Sequence, residues 1–196
     1  MTNNENADQG FYGLGIAPKL LEILTKHSYK TPTPIQRRSI PIALEGKDLI
    51  GIAQTGTGKT LAFGIPLIQR LAALKGSQGL VLLPTRELAL QVEETLQKIG
   101  RPIGLKTAVL IGGASMHLQQ QQLRRVPHVI VATPGRLIDH LDSRSVSLGN
   151  ISVLVLDEAD RMLDMGFAPQ INKILATVPK QRQTLLFSAT MPDDIV

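Results

Sequence analysis

Short apolar runs recur along the chain, and longer segments of mixed polarity separate them. Each run is continuous and does not alternate with polar residues. This pattern is typical of strands that are covered on both faces, as in a parallel sheet. The predicted strands are Leu49–Ala53, Gly79–Leu83, Thr107–Ile111, Val129–Ala132, Val153–Leu156 and Thr184–Phe187.

The segments between these runs have helical spacing. In 86–99, for example, Leu88, Val92, Leu96 and Ile99 fall on one helical face. Strands that alternate with helices predict a doubly wound α/β fold, with a mostly parallel sheet flanked by helices on both faces. Ligands of such folds bind beyond the carboxyl ends of the strands, so we expect functional residues where an apolar run ends.

The length of 196 residues predicts one domain, and no repeat or linker divides the chain. Residues 1–10 are polar apart from Met1 and Ala7 and are predicted to be a flexible tail, which leaves 11–196 as the domain. The segment Pro192–Asp194 resembles a helix start close to the last residue. We therefore expect the chain to be part of a longer protein.

Composition excludes several classes of protein. The absence of Cys excludes disulfides and thiolate metal sites, and the four His residues lack metal-ligand spacing. No apolar run approaches the length of a membrane span, and the amino terminus is polar, so we expect a cytoplasmic protein that does not contact membranes. A net charge of +5 favours a polyanionic partner.

A phosphate-binding loop follows the first predicted strand. Its glycines let backbone N–H groups approach a phosphate chain, its lysine reaches the terminal phosphates, and its last hydroxyl contacts Mg²⁺. The general P-loop begins with Gly where this chain has Ala. The predicted nucleotide-binding residues are Ala53, Gln54, Thr55, Gly56, Thr57, Gly58, Lys59 and Thr60.

Acidic residues follow the run Val153–Leu156. At the mouth of the same crevice, Asp157 can hold hydrated Mg²⁺ and Glu158 can polarise an attacking water. Alone, these acids are equally typical of a helix start, where the helix dipole favours negative charge. Together with the upstream P-loop, they predict nucleotide hydrolysis with Lys59 and Glu158 as catalytic residues.

Residues 157–160 spell DEAD, and the chain resembles the first RecA-like domain of a DEAD-box RNA helicase. The ordered motifs extend over 11–196, and AQTGTGKT is that family's own form of the P-loop. The segment YKTPTPIQ (29–36) resembles the family's Q motif. Ser28, directly before it, stands where that motif usually has Gly. The motifs are Phe11, Leu14 and Gly15, then YKTPTPIQ (29–36), AQTGTGKT (53–60), PTRELA (84–89), Gly112–Gly113, TPGR (133–136), DEAD and SAT (188–190).

The resemblance implies ATP and Mg²⁺ as cofactors, RNA as a partner, and a second RecA-like domain that carries an arginine finger and is absent from this chain. By resemblance, Gln36 reads the adenine edge, and Tyr29 offers a face for a base. The residues alone would indicate a Pro-rich loop there, so the adenine role rests on the resemblance. The implied coupling residues are Asp160, Ser188 and Thr190. The implied RNA contacts are Pro84, Thr85, Arg86, Gly112, Gly113, Thr133, Pro134, Gly135 and Arg136.

The stretch 95–137 contains six basic residues and no acid, which can attract a phosphate backbone or form an ordinary solvated face. Within it, Gln119–Gln122 is predicted to be a solvated helix face. Met162, Met165 and Phe167 are predicted to pack in or beside the core.

Three functions fit these observations. The first is an ATP-dependent RNA helicase that hydrolyses ATP and locally unwinds RNA. The second is a module that binds ATP or RNA without turnover, and the third is a P-loop ATPase that acts on DNA or protein. RNA selection over DNA follows only from the resemblance.

Overall fold

The structure is a computed structural model that describes residues 10–191. Most of the predicted tail and the predicted helix start at Pro192 lie outside the described residues. Within them, no helix is both long and apolar enough to cross a bilayer.

All six predicted strands are present, with ends shifted by two residues at most. Every pairing between neighbouring strands is parallel, and the strand order is β1-β6-β5-β2-β4-β3. The strands are β1 (Leu49–Ile52), β2 (Gln78–Leu82), β3 (Thr107–Leu110), β4 (Val129–Ala132), β5 (Ile151–Leu156) and β6 (Gln183–Ser188).

Helices fill the connections, and the predicted helix from Arg86 is confirmed as α4. Side chains cap several helices: the Thr85 Oγ1 atom accepts a hydrogen bond from the Leu88 amide, and Ser115 does the same for Leu118. The helices are α1 (Pro18–Lys26), α2 (Pro34–Leu44), α3 (Lys59–Ala73), α4 (Arg86–Gly100), α5 (Met116–Arg124), α6 (Pro134–Asp142), α7 (Ala159–Asp164) and α8 (Ala168–Leu175), with a 3₁₀ turn at Arg101–Ile103.

The sheet separates two apolar cores. Helices α1 to α4 cover one face, where Phe63 packs against Phe187 with ring centroids 5.6 Å apart. Helices α6 to α8 cover the other face, with Leu137, Met162 and Ile174 fully buried. Strand residues contribute alternately to the two cores, which confirms the predicted α/β fold with helices on both faces of the sheet.

Strand order determines which loops are neighbours. Strands β1, β6 and β5 are adjacent, so the loops at 53–60, 188–190 and 157–160 lie side by side. Strands β2, β4 and β3 form the other half, and the loops that begin at Pro84, Thr133 and Ile111 follow them. The carboxyl edge of the sheet therefore has two neighbouring groups of loops.

Candidate functional site

The P-loop connects the edge strand β1 to α3 through two left-handed glycines. Gly56 has φ of +81° and Gly58 has φ of +85°, a region that residues with a Cβ atom rarely adopt. A Cβ atom on Gly58 would also collide with the side chains of Thr33 and Gln36. The loop therefore needs glycine for its backbone conformation and for its close contact with α2.

Lys59 bridges the P-loop and the acids after β5. Its Nζ atom lies 2.9 Å from Glu158 Oε1 and 3.6 Å from Asp157 Oδ1, and all three side chains are almost fully buried. Glu158 has a left-handed backbone with φ of 55°, unusual for a residue with a side chain, at the N-cap of α7. This geometry places two carboxylates and one ammonium group at the predicted phosphate site.

Burial dominates the electrostatics of Asp157. Loss of hydration raises its pKa to about 6, although the nearby Lys59 ammonium group opposes this rise. The backbone N–H of Glu158 donates to Asp157 Oδ1 at 2.9 Å and also favours the ionised form. In the free chain, the Asp157 carboxylate therefore costs stability at neutral pH.

The donor atoms present fit an Mg²⁺–nucleotide complex. Mg²⁺ is usually held by one or two protein oxygens together with phosphate oxygens and water. Asp157 offers a carboxylate and Thr60, next to Lys59, offers a hydroxyl. Across residues 10–191, no group of three or more His, Asp or Glu side chains forms a separate metal cage. When bound, Mg²⁺ would neutralise charge on the phosphates.

Gln36 links the Q motif to the P-loop. Its side-chain Nε2 donates to the Gly58 carbonyl at 3.0 Å, and its Oε1 accepts from the Thr33 amide at 2.9 Å. Tyr29 lines a cavity of about 250 Å³ with the segment 10–12 and α1, and no P-loop residue lines that cavity. The adenine roles of Gln36 and Tyr29 therefore remain predictions.

The coupling residues form one hydrogen-bonded group. Thr190 donates from its amide and its hydroxyl to Asp160 Oδ2, each at 3.1 Å, and the Asp160 amide donates to the buried Ser188 Oγ at 3.2 Å. Burial alone would raise the pKa of Asp160, but the hydrogen bonds from Ser188, Arg161 and Thr190 outweigh it and lower the pKa. An ionised Asp160 thus connects the loops after β5 and β6.

The predicted RNA contacts meet in one groove of about 430 Å³. Seven of the nine residues line it: Pro84, Thr85, Arg86, Gly112, Thr133, Gly135 and Arg136. Glu87, Asp139 and Phe167 complete the lining. The other two predicted residues, Gly113 and Pro134, lie in the same loops.

Two arginines lie beside the paired-glycine loop, Gly112–Gly113. Gly113 has φ of +74°, and a Cβ atom there would collide with the Arg86 guanidinium group. The Nη1 atom of Arg136 donates to the Ala114 carbonyl at 3.0 Å. The loops after β2, β3 and β4 therefore form one interlocked surface, which we call the three-loop groove.

Comparison with known proteins identifies the family of this chain. The family model described as DEAD/DEAH box helicase matches residues 33–196. The chain belongs to this helicase family. A crystal structure of a DEAD box protein from the hyperthermophile Methanococcus jannaschii superposes with a TM-score of 0.88 at 37% identity, covering 95% of this chain and 51% of that one. This match confirms the RecA-like fold.

Curated relatives agree with the helicase assignment. The chain is 51% identical to the ATP-dependent rRNA helicase RRP3 of Debaryomyces hansenii, covering 95% of this chain and 40% of the relative. It is 49% identical to the protein of the same name from Meyerozyma guilliermondii, covering 98% of this chain and 41% of the relative. The chain thus spans about two fifths of the length of these relatives.

The fold divides the acid-free basic stretch between opposite ends of the sheet. Arg136 lies at the carboxyl ends of the strands, in the three-loop groove. Lys106 directly precedes β3, and α4 and α5 carry the other bases on their carboxyl-terminal ends. Arg101, Lys106 and Arg125 line a separate groove of about 350 Å³ there. The basic residues of this stretch therefore do not form one continuous face, and its attraction for a phosphate backbone stays a prediction.

The prediction of a solvated face at Gln119–Gln122 was wrong for Gln119, which is only 3% exposed. Gln121 and Gln122 are exposed as predicted, although Gln122 Oε1 also accepts a hydrogen bond from the Val109 amide at 3.1 Å. Sequence reasoning also missed His140, which is fully buried on α6 and hydrogen-bonded to Gln119. The packing predictions for Met162 and Phe167 are confirmed, because Met162 is in the core and Phe167 packs against the core. Met165 is 48% exposed.

Proposed function

We propose that residues 11–196 form the first RecA-like domain of a two-domain, ATP-dependent RNA helicase. In this proposal the second domain, outside this chain, supplies an arginine finger and the rest of the RNA surface. The intact protein hydrolyses ATP and locally unwinds or remodels RNA duplexes. A cytoplasmic location and the absence of membrane contact stay part of the same prediction.

The observation that carries the proposal is the buried contact between Lys59 and the acids Asp157 and Glu158. A buried ammonium group is stable only with a negative partner, and phosphate can replace the carboxylates in that role. When nucleotide binds, Lys59 is free to turn toward the terminal phosphates. Glu158 then becomes available to orient a water, while Thr60 and Asp157 hold Mg²⁺.

The loop backbone and the Q motif complete the nucleotide site. The glycines of the P-loop leave N–H groups accessible to phosphate oxygens at the positive end of α3. Gln36 keeps one amide hydrogen and one lone pair beyond its two observed hydrogen bonds, and these match the donor and acceptor edge of adenine. We infer that Gln36 transmits base identity to the P-loop through Gly58, and that Tyr29 stacks on the base.

The three-loop groove is the proposed RNA surface. Arg86 supplies positive charge, and the N–H groups of Gly113 and Gly135 supply donors without Cβ atoms in the way. Such contacts recognise the phosphate backbone and not the base sequence. The choice of RNA over DNA is supported by the relatives named as rRNA helicases and not by these contacts, so we propose RNA as the substrate class on that basis. Because the contacts are to phosphate, we expect affinity to fall steeply with salt.

The principal test compares RNA and DNA as activators of the intact protein. We expect single-stranded RNA to stimulate ATP hydrolysis and DNA of the same sequence to stimulate it far less. Stimulation by DNA alone, or by neither, would favour the P-loop ATPase acting on DNA or protein. No turnover under any condition would favour a non-hydrolysing module.

Two substitutions test the residue roles within the same protein. Lys59→Ala should remove most affinity for both ATP and ADP, because both nucleotides need the phosphate cation. Glu158→Gln should lower turnover strongly and leave ATP affinity nearly unchanged, because a water-orienting carboxylate acts in the transition state. Turnover of Glu158→Gln within a few fold of wild type would assign the base to another residue.

The isolated chain provides a test of the missing half-site. An arginine finger contributes roughly 10³ to 10⁵ in rate, so residues 1–196 should bind adenine nucleotide but hydrolyse ATP very slowly, with no useful stimulation by RNA. Their RNA affinity should also be weak, because no second domain closes over the strand. Strong RNA-stimulated turnover by the isolated chain would mean that the catalytic set is complete within it.

A further inference from the structure

Next to Arg136 of the three-loop groove lies a buried polar network whose other side chains have no role in the proposed nucleotide or RNA contacts. At its centre is the amide of Gln119, 3% exposed, in contact with the fully buried His140. Burying an amide and an imidazole costs free energy unless every polar atom finds a partner. A Leu or Phe pair would fill the same space without this cost.

Every polar atom of the Gln119 amide has a partner. Nε2 donates to the Ile111 carbonyl at 2.8 Å. Because a carbonyl can only accept, this bond fixes the amide orientation, and Oε1 must be the acceptor. Oε1 then accepts from His140 Nε2 at 2.8 Å and from Arg136 Nη1 at 3.3 Å.

The orientation of Gln119 also fixes the state of His140. Since His140 Nε2 donates, the neutral ring carries its proton there, and Nδ1 accepts from the Ser145 hydroxyl at 2.7 Å. Burial, with a smaller effect from Arg136, lowers the pKa of His140 and keeps the ring neutral at physiological pH. The ring is therefore a fixed donor that holds Gln119 from the side of α6.

This network holds both ends of the paired-glycine loop. At the start of the loop, Gln119 donates a hydrogen bond directly to the Ile111 carbonyl. At the other end of the loop, Arg136 Nη1 donates to the Ala114 carbonyl, and the same Nη1 atom also donates to Gln119. One amide group thus sets the distance between the loop after β3 and the TPGR segment after β4.

On this geometry we propose that Gln119 and His140 are positioning residues for RNA binding. They hold the Gly112–Gly113 loop against Arg136, so that the phosphate-binding groups are pre-organised before RNA arrives. Pre-organisation raises affinity because less ordering is required on binding. This inference rests on the proposed RNA-binding function of the three-loop groove.

The test measures RNA and nucleotide affinity separately in the intact protein. Binding of fluorescein-labelled oligouridine is followed by anisotropy with a non-hydrolysable ATP analogue present, and ATP affinity is measured by calorimetry. Gln119→Leu and His140→Phe should each weaken RNA binding by about tenfold, the size expected for loss of a hydrogen bond to a charged group or within its network. ATP affinity should change less than about twofold.

Conservative and control variants separate positioning from general destabilisation. His140→Gln keeps a donor near the place of Nε2 and should restore most of the RNA affinity lost in His140→Phe. The matched control is the exposed His117–Gln121 pair on α5, whose side chains are 3.0 Å apart. His117→Ala and Gln121→Ala should leave both affinities unchanged.

A double-mutant cycle tests whether Gln119 acts through Arg136. If it does, Gln119→Leu combined with Arg136→Ala should bind RNA no more weakly than Arg136→Ala alone. Additive losses, equal losses of ATP affinity, or failure of His140→Gln to restore RNA binding would overturn the proposal. Should Gln119→Leu not fold, the comparison of His140→Phe with His140→Gln decides the matter alone.

The same experiment distinguishes failure of this inference from failure of the proposed function. If Arg86→Ala and Arg136→Ala both bind RNA like wild type, the three-loop groove is not the RNA surface, and both proposals fail. If those two variants lose affinity while Gln119→Leu and His140→Phe do not, only the positioning role is overturned.

Discussion

Replacing Asp157 by Asn should stabilise the nucleotide-free chain. Asn has nearly the same shape, and its Oδ1 can still accept the Glu158 amide, which donates to Asp157 at 2.9 Å. What the substitution removes is a carboxyl group whose pKa is raised by burial from 3.8 to about 6 in the folded chain. As pH rises, this carboxyl group ionises in the unfolded chain before it ionises in the folded chain. The folded chain therefore begins to lose stability near pH 3.8, and the loss is complete above about pH 6.

The shift of about two pKa units gives the magnitude. Each unit corresponds to about 1.4 kcal/mol, so Asp157→Asn should raise the free energy of unfolding by about 3 kcal/mol at about pH 7.5. At about pH 4.5 most folded molecules carry a protonated Asp157, and the gain should shrink to about 1 kcal/mol. Affinity for Mg²⁺–ATP should fall at the same time, because the proposed ligand of the metal is lost.

Urea unfolding of the 196-residue chain, free of nucleotide and divalent ions, measures the effect at both pH values. Asp164→Asn is the control, since Asp164 is exposed on α7, and it should change stability by less than about 0.5 kcal/mol. An Asp157→Asn chain that is equally or less stable at neutral pH would refute the reasoning. It would mean that Lys59 outweighs the burial of this carboxylate.

Three further predictions concern Gln36, the SAT segment (188–190) and the backbone of Ser28. Gln36→Ala should weaken ATP more than GTP in calorimetry, with a smaller loss common to both because the P-loop contact is also removed; equal weakening would exclude adenine recognition. Ser188→Ala with Thr190→Ala, in the intact protein, should reduce unwinding more than ATP hydrolysis, whereas parallel loss would assign the motif to the chemistry. Ser28 has φ of 63°, so Ser28→Gly should raise the free energy of unfolding by about 0.5–1 kcal/mol, and Ser28→Ala should not.

Continuous apolar runs made the strands predictable, although β1, at the edge of the sheet, leaves Ile50 and Ile52 exposed and is not buried on both faces. The rule that ligands bind beyond the carboxyl ends of strands indicated the loops at Lys59 and Asp157, which the structure brings together. Ser28 shows how a departure from a motif can preserve its geometry. Its backbone adopts the left-handed conformation that Gly would adopt, and the Cβ atom of Ser28 makes that conformation strained.

Strand order and side-chain direction were not predictable from local patterns. Counting charge along the chain puts Lys106 and Arg136 in one acid-free stretch, but Lys106 precedes β3 and Arg136 follows β4, so they lie at opposite ends of the sheet. In the same way, Gln119 and Gln121 are the same residue type, but Gln119 is buried with hydrogen bonds to Ile111 and His140 while Gln121 is exposed. Pairings between residues distant in sequence decide such positions.

The order of the strands also constrains how nucleotide and RNA can influence each other. Strand β5, in the first group, pairs with β2, in the second, and the Asp157 amide donates to the Leu82 carbonyl at the end of β2 at 3.0 Å. The hydrogen bonds continue across the edge, from Leu83 to Ala132 and from Thr133 to Leu110. Because neighbouring strands are hydrogen-bonded up to their last residues, we expect them to resist sliding past one another. Nucleotide state should therefore act on RNA less by moving loops within this domain than by changing how Asp160 and its partners, Ser188 and Thr190, face a second domain.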